Sequence, residues 1–579
     1  ALLPQEFAVI MIVFFALAAR RLGEQQVLTR RLHAIESLGE TTILCVDKTG
    51  TLTENRMQVA ALCIPGNQWL TGASGHQPLP AGFHELLEYA VLASEITPHD
   101  PMEKAFHHLA ALHLSDTDRL HDEWVLAREY ELSPQLLAMS HLWQPDDDSP
   151  HIVAAKGAPE AVAMLCRLSP AQRAQIAADA GVLADRGLRV LAVAKARHPA
   201  AEPWPDRQLD FGFEWLGLLA LADPLRAEVP AAMAQCHRAG IRVIMITGDH
   251  PRTAAAIAQQ AGIRHSELLT GDQIDRMDAA TLEKAIASVN VFARVKPHQK
   301  LALVEALKAR GEVVAMTGDG VNDAPALKAA HIGIAMGQRG TDVAREAAAL
   351  VLLKDDFASI MTAIRMGRRT FVNMRQAMVY TLAVHVPIAG LALLPVIFGL
   401  PLLLAPLHIA FLELVIDPAC SIVFEAEDDS DDLMDRPPRS ASETLLPIRQ
   451  VMHSLLYGGL TTAMVLMFYR WRLSQDSDQA ASASAFVMLV TANAALILVT
   501  RSARSRWQQL FTRLTPTSIV VLTTTAAALL AVTAWPVLSD AFRFSALPAH
   551  QWLLSFCCGL LMLPLFQLIK RVGHVHSLR

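Results

Sequence analysis

The chain has 579 residues, of which 52% are hydrophobic and only 18% are charged, and its mean hydropathy is +0.30. The length allows several domains, and the hydropathy excludes an ordinary soluble protein. The formal net charge of −6 provides no basic surface, which excludes nucleic acid as a partner. Apolar runs are concentrated in residues 1–19 and after residue 371, so we expect membrane segments around a large globular region.

Residues 1–19 are apolar apart from Gln5 and Glu6, and Arg20 and Arg21 end the run. This pattern predicts the cytoplasmic end of a membrane-spanning helix. The charged region of a signal peptide does not precede it. We therefore interpret the chain as part of a longer protein.

Between residues 41 and 357, short β-branched runs alternate with alanine-rich helical patterns, as is typical of parallel α/β folds. Three of the runs lead into an aspartate, at Asp47, Asp249 and Asp319. Because ligands bind beyond the carboxyl ends of parallel strands, we expect these aspartates to converge on one site. The segment from about 60 to 220 is long enough to be an inserted domain.

Beyond residue 371, six apolar stretches each approach the ~20 residues that a helix needs to cross a bilayer. They lie at 376–400, 403–424, 451–470, 484–500, 517–537 and 550–569. The 501–513 connection contains several arginines, and the C-terminal tail is also basic. The positive-inside rule therefore predicts that the connection and the tail both lie on the cytoplasmic side of the membrane. The loops 471–483 and 538–549 are then outside.

Residues 47–53 read Asp-Lys-Thr-Gly-Thr-Leu-Thr and follow a predicted strand. An aspartate in this position can act as a carboxylate nucleophile on a phosphoryl group. Backbone amides and Lys48 would face the developing phosphate charge, and magnesium would offset the remainder. A shorter string would indicate an ordinary aspartate at the end of a strand, but the full seven residues favour a nucleophile.

This string resembles the phosphorylation motif of the P-type ATPases, ion pumps of the haloacid dehalogenase superfamily. Further motifs of that family follow in order: Lys156–Glu160 (KGAPE), Asp223–Arg226 (DPLR), Thr247–Asp249 (TGD), Arg294 with Lys300, and Thr317–Asp323 (TGDGVND). The resemblance implies a multidomain α/β protein with an α-helical membrane part. Its phosphorylation domain would be Rossmann-like, with an inserted α+β nucleotide-binding domain and a transmembrane helical bundle.

The same resemblance implies domain boundaries, an integral membrane location in a bacterial plasma membrane, and cytoplasmic catalytic domains. Residues 1–22 would end the fourth transmembrane helix, 23–57 and 223–370 would form the phosphorylation domain, 58–222 the nucleotide-binding domain, and 371–579 transmembrane helices five to ten. The actuator domain and the first three spans are expected to precede Ala1.

Each motif residue receives a role from the resemblance. Asp47 would be the nucleophile, Lys300 would neutralise the phosphate, and Thr247 and Gly248 would hold its oxygens. The remaining pocket residues are Asp249, which could equally cap a helix, Asn322 and Asp323.

Magnesium would be bound by Asp47, Asp319 and the carbonyl of Thr49. Soluble phosphatases of the superfamily carry a second acid at the position of Thr49. Its absence argues against a stand-alone phosphatase.

ATP is the second expected cofactor. The resemblance assigns its binding to Glu103, Lys156, Arg189 and Arg294. Leu132 stands where the family usually has an aromatic residue. Lys156 could otherwise be a surface lysine, but its motif favours contact with ATP.

Glu413 and Asp417 lie four residues apart, on one face of a predicted membrane helix. Intramembrane carboxylates indicate a functional site, and oxygens from Glu6, Gln5, Glu413 and Asp417 would suit a hard divalent cation such as Ca²⁺, Mg²⁺ or Mn²⁺. His385 is a further ligand candidate, although packing between helices would explain it as well. For Glu425 and Glu427 we expect side chains that reach water at the membrane edge.

The leading hypothesis is therefore ATP-driven cation transport through an aspartyl phosphate, with Ca²⁺ as the first ion to test. One alternative is a membrane-anchored phosphoryl-transfer regulator of the same superfamily, and another is a pump for a monovalent cation. Stimulation of ATP hydrolysis by ions would distinguish them.

Overall fold

The computed structural model describes residues 6–66, 68–71, 78–121, 123–133, 136–145, 149–264, 267–428, 432–440, 443–501 and 514–575. The chain forms two compact units. The first, here called the α/β unit, comprises Ile43–His237 and Arg242–Ala348, and the second, the helical unit, comprises Ala1–Thr42, Arg238–Ile241 and Ala349–Arg579.

Fifteen strands are described: β1 Val27–Thr29, β2 Ile43–Val46, β3 Gln58–Ile64, β4 Gln68–Thr71, β5 Val125–Tyr130, β6 Ala138–Gln144, β7 His151–Gly157, β8 Arg189–His198, β9 Glu214–Ala222, β10 Arg242–Ile246, β11 Leu268–Thr270, β12 Val291–Ala293, β13 Val314–Gly318, β14 Ile332–Met336 and β15 Leu350–Leu352.

The α-helices between the strands are Ala34–Glu40, His84–Leu92, Pro101–His113, Pro159–Leu165, Pro170–Asp185, Val229–Arg238, Pro251–Ala261, Gly271–Ile274, Ala279–Ser288, Pro297–Ala309, Ala324–Ala329 and Asp342–Ala347. The other described α-helices are Glu6–Glu24, Ala358–Ile397, Pro406–Pro418, Phe424–Ala426, Ile448–Leu473, Asp478–Thr500, Pro516–Ala534, Pro536–Ala541, Ala549–Leu560 and Met562–Val575.

Parallel strands form the first sheet of the α/β unit, in the order β14-β13-β2-β10-β12-β11. All four residues of β2 are buried, as their Ile-Leu-Cys-Val sequence predicts for a strand covered on both faces. Strand β2 lies between β10 and β13, so the carboxyl ends of these three strands are neighbours. The predicted parallel α/β fold is confirmed.

Helix Pro297–Ala309 packs against this sheet. Leu303, Val304 and Leu307 join Cys45 and Met316 of the sheet in one apolar cluster. Lys300 precedes these residues at helical spacing, so it lies on the same face of the helix. The apolar positions of the helix thus aim the Lys300 side chain at the end of β2.

The second sheet of the α/β unit is antiparallel, in the order β4-β3-β9-β8-β7-β6-β5. Strands β3 and β9, the first and last of this sheet in chain order, pair directly, with Gln58 opposite Ala222. This pairing brings residues 58 and 222 together, and they are the two ends of the segment that forms the second sheet. The segment can therefore be inserted between β2 and β10 of the first sheet without separating those two strands. Helices His84–Leu92 and Pro101–His113 cover one face of the sheet, and helix Pro159–Leu165 covers the other.

Six described helices of the helical unit are long and apolar enough to cross a membrane, and they match the six predicted stretches in number and order. They are Ala358–Ile397, Pro406–Ala426, Ile448–Leu473, Asp478–Thr500, Pro516–Ala534 and Ala549–Arg571. The first begins 18 residues before the predicted stretch at 376. Arginines interrupt its apolar pattern there but do not prevent a helix, because arginine is a good helix former.

The helical unit also contains the antiparallel pair β1–β15, and helix Glu6–Glu24 packs against helix Ala358–Ile397. The span Pro406–Ala426 is irregular, since a π-helical turn, Ala419–Val423, follows Pro418. Proline lacks the N–H that the regular helix would use, and such turns frequently lie at functional sites.

The expectation that Glu425 and Glu427 reach water is wrong. Both residues are 8% exposed. Arg21 donates to Glu425 over 2.8 Å and Arg501 donates to Glu427 over 2.7 Å. Arginines that are distant in sequence neutralise the two carboxylates, and this pairing is what makes their burial tolerable.

Candidate active site

Asp47 lies directly after β2, at the carboxyl edge of the parallel sheet. One carboxylate oxygen accepts a hydrogen bond from the backbone N–H of Lys48 at 2.7 Å, and the other accepts from the Lys300 ammonium at 2.8 Å. The backbone N–H of Asp47 donates to the Thr317 hydroxyl on the neighbouring strand. The carboxylate is thus held on both oxygens by donors from separate segments.

Lys300 connects two acids. Its ammonium lies 2.8 Å from Asp47 and 2.7 Å from Asp323, and its side chain is 9% exposed. Asp323 also accepts from the backbone N–H of Gly320. Burial by itself would lower the pKa of Lys300, but the charges of Asp47 and Asp323 outweigh that effect and raise it. Lys300 is therefore a permanently charged bridge.

Asp319 completes the arrangement from the end of β13. Gly50 has a φ of +73°, and a Cβ at that position would overlap the Asp319 carboxylate. Among the described side chains, Asp47, Asp319 and Asp323 are the one group of three or more potential metal ligands, with oxygens within 4.8 Å of one another. The glycine is required both by its backbone angle and by this close approach.

The three carboxylates carry more negative charge than one lysine offsets. Burial, together with the charges of Asp47 and Asp323, raises the pKa of Asp319 to about 6. Burial also raises the pKa of Asp47, which Lys300 opposes and Asp323 reinforces. A hard divalent cation such as Mg²⁺ prefers carboxylate oxygens and would relieve the repulsion, so these residues fit the expected magnesium.

The loop after Asp47 is held by residues to which the sequence assigned no role. Arg226 donates to the carbonyl oxygens of Gly50 and Thr53, at 3.0 and 3.1 Å. Asp223 accepts from the Thr53 hydroxyl at 2.5 Å and from the backbone N–H of Arg56 at 3.1 Å. In the sequence, the opposite charges at the two ends of the Asp223–Arg226 motif could have indicated that these residues hold a neighbouring loop.

Thr247, Gly248 and Asp249 follow β10 and face the same edge of the sheet. Thr247 is buried and accepts from the backbone N–H of Asp249. Asp249 forms an ion pair with Lys48 at 2.5 Å. The predicted capping role for Asp249 is wrong, because His250 caps helix Pro251–Ala261 through the N–H of Arg252.

A cleft of about 570 Å³ opens beside this loop. Its lining includes Lys48, Thr49 and Asp249 from the edge of the parallel sheet and Arg189 from the antiparallel sheet. Arg189 is thereby brought to the same cleft as the loop that follows Asp47.

Comparison with known proteins agrees with this geometry. Residues 41–331 match the family model for haloacid dehalogenase-like hydrolases, and residues 401–572 match the model for the C-terminus of cation transporting ATPases. The chain is 31% identical over 618 residues to the calcium-transporting ATPase of Bacillus subtilis, covering 98% of this chain and 68% of that protein. The chain belongs to the P-type ATPases.

Two further relatives show the breadth of the match. The probable cation-transporting ATPase F of Mycobacterium tuberculosis is 34% identical over 550 residues, with 87% of this chain and 60% of that protein covered. The sodium/potassium-transporting ATPase subunit alpha-A of Artemia franciscana is 31% identical over 548 residues, covering 81% and 54%. The chain spans about 54% to 68% of the length of these three relatives.

The other nucleotide residues expected in this P-type ATPase are spread over the antiparallel sheet. Lys156 is buried rather than on the surface, with its ammonium bonded to Glu103 and 2.8 Å from the Ser94 hydroxyl. Burial lowers the pKa of Lys156, and Glu103 counteracts that. Leu132 is 58% exposed.

Arg294 and Asn322 both lie at the surface of the parallel-sheet region. Arg294 adopts a φ of +50° and donates its backbone N–H to the carbonyl of Asp249. Asn322 is exposed in the turn Val321–Asp323. Their side chains are therefore available to a ligand.

The predicted ion ligands of this P-type ATPase lie in the helical unit. Glu6 and His385 are neighbours, with 3.5 Å between the Glu6 carboxylate and Nε2 of the imidazole. Glu413 is half-buried on helix Pro406–Pro418. Gln5 lies outside the described residues, and the structure describes the backbone of Asp417 but not its side chain.

Proposed function

We propose that this P-type ATPase couples ATP hydrolysis to the transport of a divalent cation through an aspartyl phosphate on Asp47. The observation that carries the proposal is the Asp47–Lys300–Asp323 arrangement beside Asp319, in a chain with six candidate membrane spans. The names of the relatives, most of which are cation- or calcium-transporting ATPases, support the transport function.

In the proposed reaction, a carboxylate oxygen of Asp47 attacks the γ-phosphorus of ATP. The bond from that phosphorus to the bridging oxygen breaks, and ADP leaves with the electron pair. Lys300 stabilises the charge that develops on the phosphoryl oxygens, and donors at Thr247 and Gly248 hold them. Water later cleaves the acyl phosphate, which releases inorganic phosphate and regenerates Asp47.

Magnesium would be held by Asp47, Asp319 and either Asp323 or the carbonyl of Thr49. When bound, it supplies positive charge next to the transferred phosphoryl group. The charge of Lys300 opposes the rise in the pKa of Asp47 and so favours the ionised carboxylate, which is the form that can act as a nucleophile. Thr49 offers no second acid, so the phosphoenzyme would persist long enough to drive transport.

ATP would enter the cleft that Arg189 and Lys48 line. Arg189 offers a guanidinium to the phosphates. The buried Lys156–Glu103 pair would shape the base site, with Leu132 providing apolar contact in place of an aromatic ring and Arg294 approaching from the parallel-sheet side. Asn322 would add a polar contact at the phosphoryl group.

The transported ion would bind between membrane helices, with oxygens from Glu6, Gln5, Glu413 and Asp417 as ligands. A buried carboxylate in a membrane helix is costly unless a cation or a donor neutralises it. The sodium/potassium-transporting relative makes a monovalent cation the second candidate.

Phosphorylation by γ-labelled ATP tests the proposal. The protein in membrane vesicles, with Mg²⁺ and a series of cations, should yield an acid-stable, hydroxylamine-sensitive phosphoprotein. Asp47→Asn should abolish the label because an amide cannot replace the carboxylate nucleophile. Asp272→Asn, a substitution at an exposed acid of the same unit, is the control and should retain it. Label retained in Asp47→Asn would contradict the assignment.

A further inference from the structure

His385 and Glu6 form a mostly buried polar pair in the helical unit. Nε2 of His385 lies 3.5 Å from Oε1 of Glu6, and the two side chains are 10% and 17% exposed. The other carboxylate oxygen of Glu6 is buried and has no hydrogen-bond partner among the described residues. A buried carboxylate without donors is costly, so something positive is expected at this pair.

The second ring nitrogen of His385 determines which proton the imidazole carries. Nδ1 lies 2.8 Å from the carbonyl oxygen of Thr381, which can only accept a hydrogen bond, so Nδ1 is the donor. In the neutral imidazole, Nε2 is then an acceptor. In that form two acceptors, Nε2 and the Glu6 carboxylate, face each other, and they require a positive charge between them, either a proton or a metal ion.

The separation favours a metal ion over a shared proton. A hydrogen bond between nitrogen and oxygen normally spans about 2.7–3.2 Å. Two ligands at about 2.0–2.2 Å from one metal ion lie about 3.0–3.5 Å apart at angles of about 90–110°. The observed 3.5 Å matches the second geometry. Donation of Nδ1–H to a backbone carbonyl is also how proteins orient metal-ligating histidines.

His408, in another helix of the same unit, shows what a purely structural histidine looks like here. Its Nδ1 accepts from the backbone N–H of Ala405 at 3.0 Å, and its Nε2 donates to the carbonyl of Phe542 at 2.7 Å. Both nitrogens of His408 are used by the backbone. His385 differs because one nitrogen is left pointing at a carboxylate.

We propose that His385 Nε2 and the Glu6 carboxylate bind the transported ion, and that this ion is a divalent first-row transition metal such as Mn²⁺ in preference to Ca²⁺. Of the hard cations expected from the sequence, Mn²⁺ is the one first-row transition metal, and a site that mixes one imidazole with carboxylates favours it over Ca²⁺, which takes oxygen ligands. The inference rests on the proposed function and narrows its ion class. The remaining ligands would be oxygens, for which the sequence offers Glu413 and Asp417 as candidates.

The test compares ions in wild type and in His385→Asn. Phosphorylation by ATP is measured in membrane vesicles at saturating Mg²⁺ while free Mn²⁺ or free Ca²⁺ is varied. Wild type should respond to Mn²⁺ at lower concentrations than to Ca²⁺. In His385→Asn, the concentration of Mn²⁺ for half-maximal stimulation should rise at least about tenfold, since the loss of even an outer-shell partner costs about 10–100-fold. The response to Ca²⁺ should change much less, because the asparagine oxygen is a hard ligand.

Two controls make the comparison specific. His550→Asn removes an exposed imidazole and should leave the response to both ions unchanged. Phosphorylation of each variant by inorganic phosphate, which needs only the Asp47 pocket, shows that the variant is folded. If His385→Asn fails that control, Glu6→Gln replaces it, and electron-spin-echo spectroscopy of Mn²⁺ bound to wild type without nucleotide should show modulation from an imidazole nitrogen.

The outcomes separate the inference from the proposed function. Preference for Ca²⁺ in wild type, an unchanged Mn²⁺ response in a folded His385→Asn, or absence of the nitrogen modulation would overturn the inference alone. An unchanged metal response with an altered pH profile would show that the pair holds a proton instead. If no cation stimulates phosphorylation by ATP, the proposed function fails as well.

Discussion

The pocket formed by Asp47, Lys300, Asp319 and Asp323 and the Glu6–His385 pair are both mostly buried groups of acids with one basic side chain, but they differ in how their charges are balanced. In the pocket, Lys300 lies within 2.8 Å of both Asp47 and Asp323. In the helical unit, the carboxylate and the imidazole are 3.5 Å apart, and one oxygen of Glu6 lacks a donor among the described residues. The pocket therefore has a positive charge in place between its acids, whereas the pair has none among the described residues and, in the proposed function, would be completed by a cation.

This difference has a physical basis. Charge stabilisation in a transition state is largest when donors are already in place, because reorganisation then costs nothing during the reaction. The pair, if it binds the transported ion as proposed, must also release that ion, and a fixed positive side chain beside its carboxylate would compete with the ion for the site. Substitutions should therefore affect the chemistry most strongly in the pocket and ion dependence most strongly at the pair.

The largest effect is expected at Lys300. Lys300→Met should lower the rate of phosphoenzyme formation by about 10²–10³-fold, because it removes the fixed positive charge at the transferred group. Rapid-quench measurement with labelled ATP gives the rate. Lys284→Met, at an exposed lysine of the same unit, is the control. A rate within twofold of wild type in Lys300→Met would show that the bridge has no part in the reaction.

Gly50 tests whether the close approach of Asp319 matters. Gly50→Ala should lower the rate of phosphorylation strongly, although less than Lys300→Met does, since the new Cβ would displace the Asp319 carboxylate. Gly262→Ala is matched in backbone angle, with a φ of +80°, but meets open space. It should cost only about 1 kcal/mol of stability and leave phosphorylation intact. Equal effects of the two substitutions would point to backbone strain alone.

The buried ion pair Arg501–Glu427 should make a large contribution to the stability of the helical unit. Arg501→Met should lower the free energy of unfolding by about 3–5 kcal/mol, because it leaves the Glu427 carboxylate buried without its partner. The shift in thermal unfolding of the detergent-solubilised protein measures this loss. If Arg501→Met and Glu427→Gln together are no more stable than Arg501→Met alone, the cost does not come from the unpaired charge.

The smallest effect is expected at an exposed pair in the same unit. Arg20 and Glu24 are 76% and 61% exposed, at a distance of 3.3 Å. Arg20→Met should change the free energy of unfolding by less than about 1 kcal/mol, since water already solvates both charges. A loss as large as that of Arg501→Met would mean that exposure does not decide the effect of an ion pair here.

The sequence was sufficient for the fold class because its signals are local. The β-branched runs that end at Asp47, Asp249 and Asp319 predicted parallel strands, and parallel strands place their carboxyl ends on one edge. The number of candidate membrane helices followed from apolar length. The start of helix Ala358–Ile397 could not be predicted from apolar length, because the arginines before residue 376 lower the local hydropathy but do not end the helix.

By itself, the sequence predicted that Asp47, Asp249 and Asp319 lie at one edge of the parallel sheet, because a strand that ends in an acid presents that acid at the edge. Only the tertiary structure decided their partners. The support of the Asp47 loop by Arg226, the neutralisation of Glu427 by Arg501, and the different hydrogen bonding of His385 and His408 all join residues that are distant or on separate helices. Ion pairs and tautomers depend on a few tenths of an ångström between such residues, and no local pattern encodes that distance.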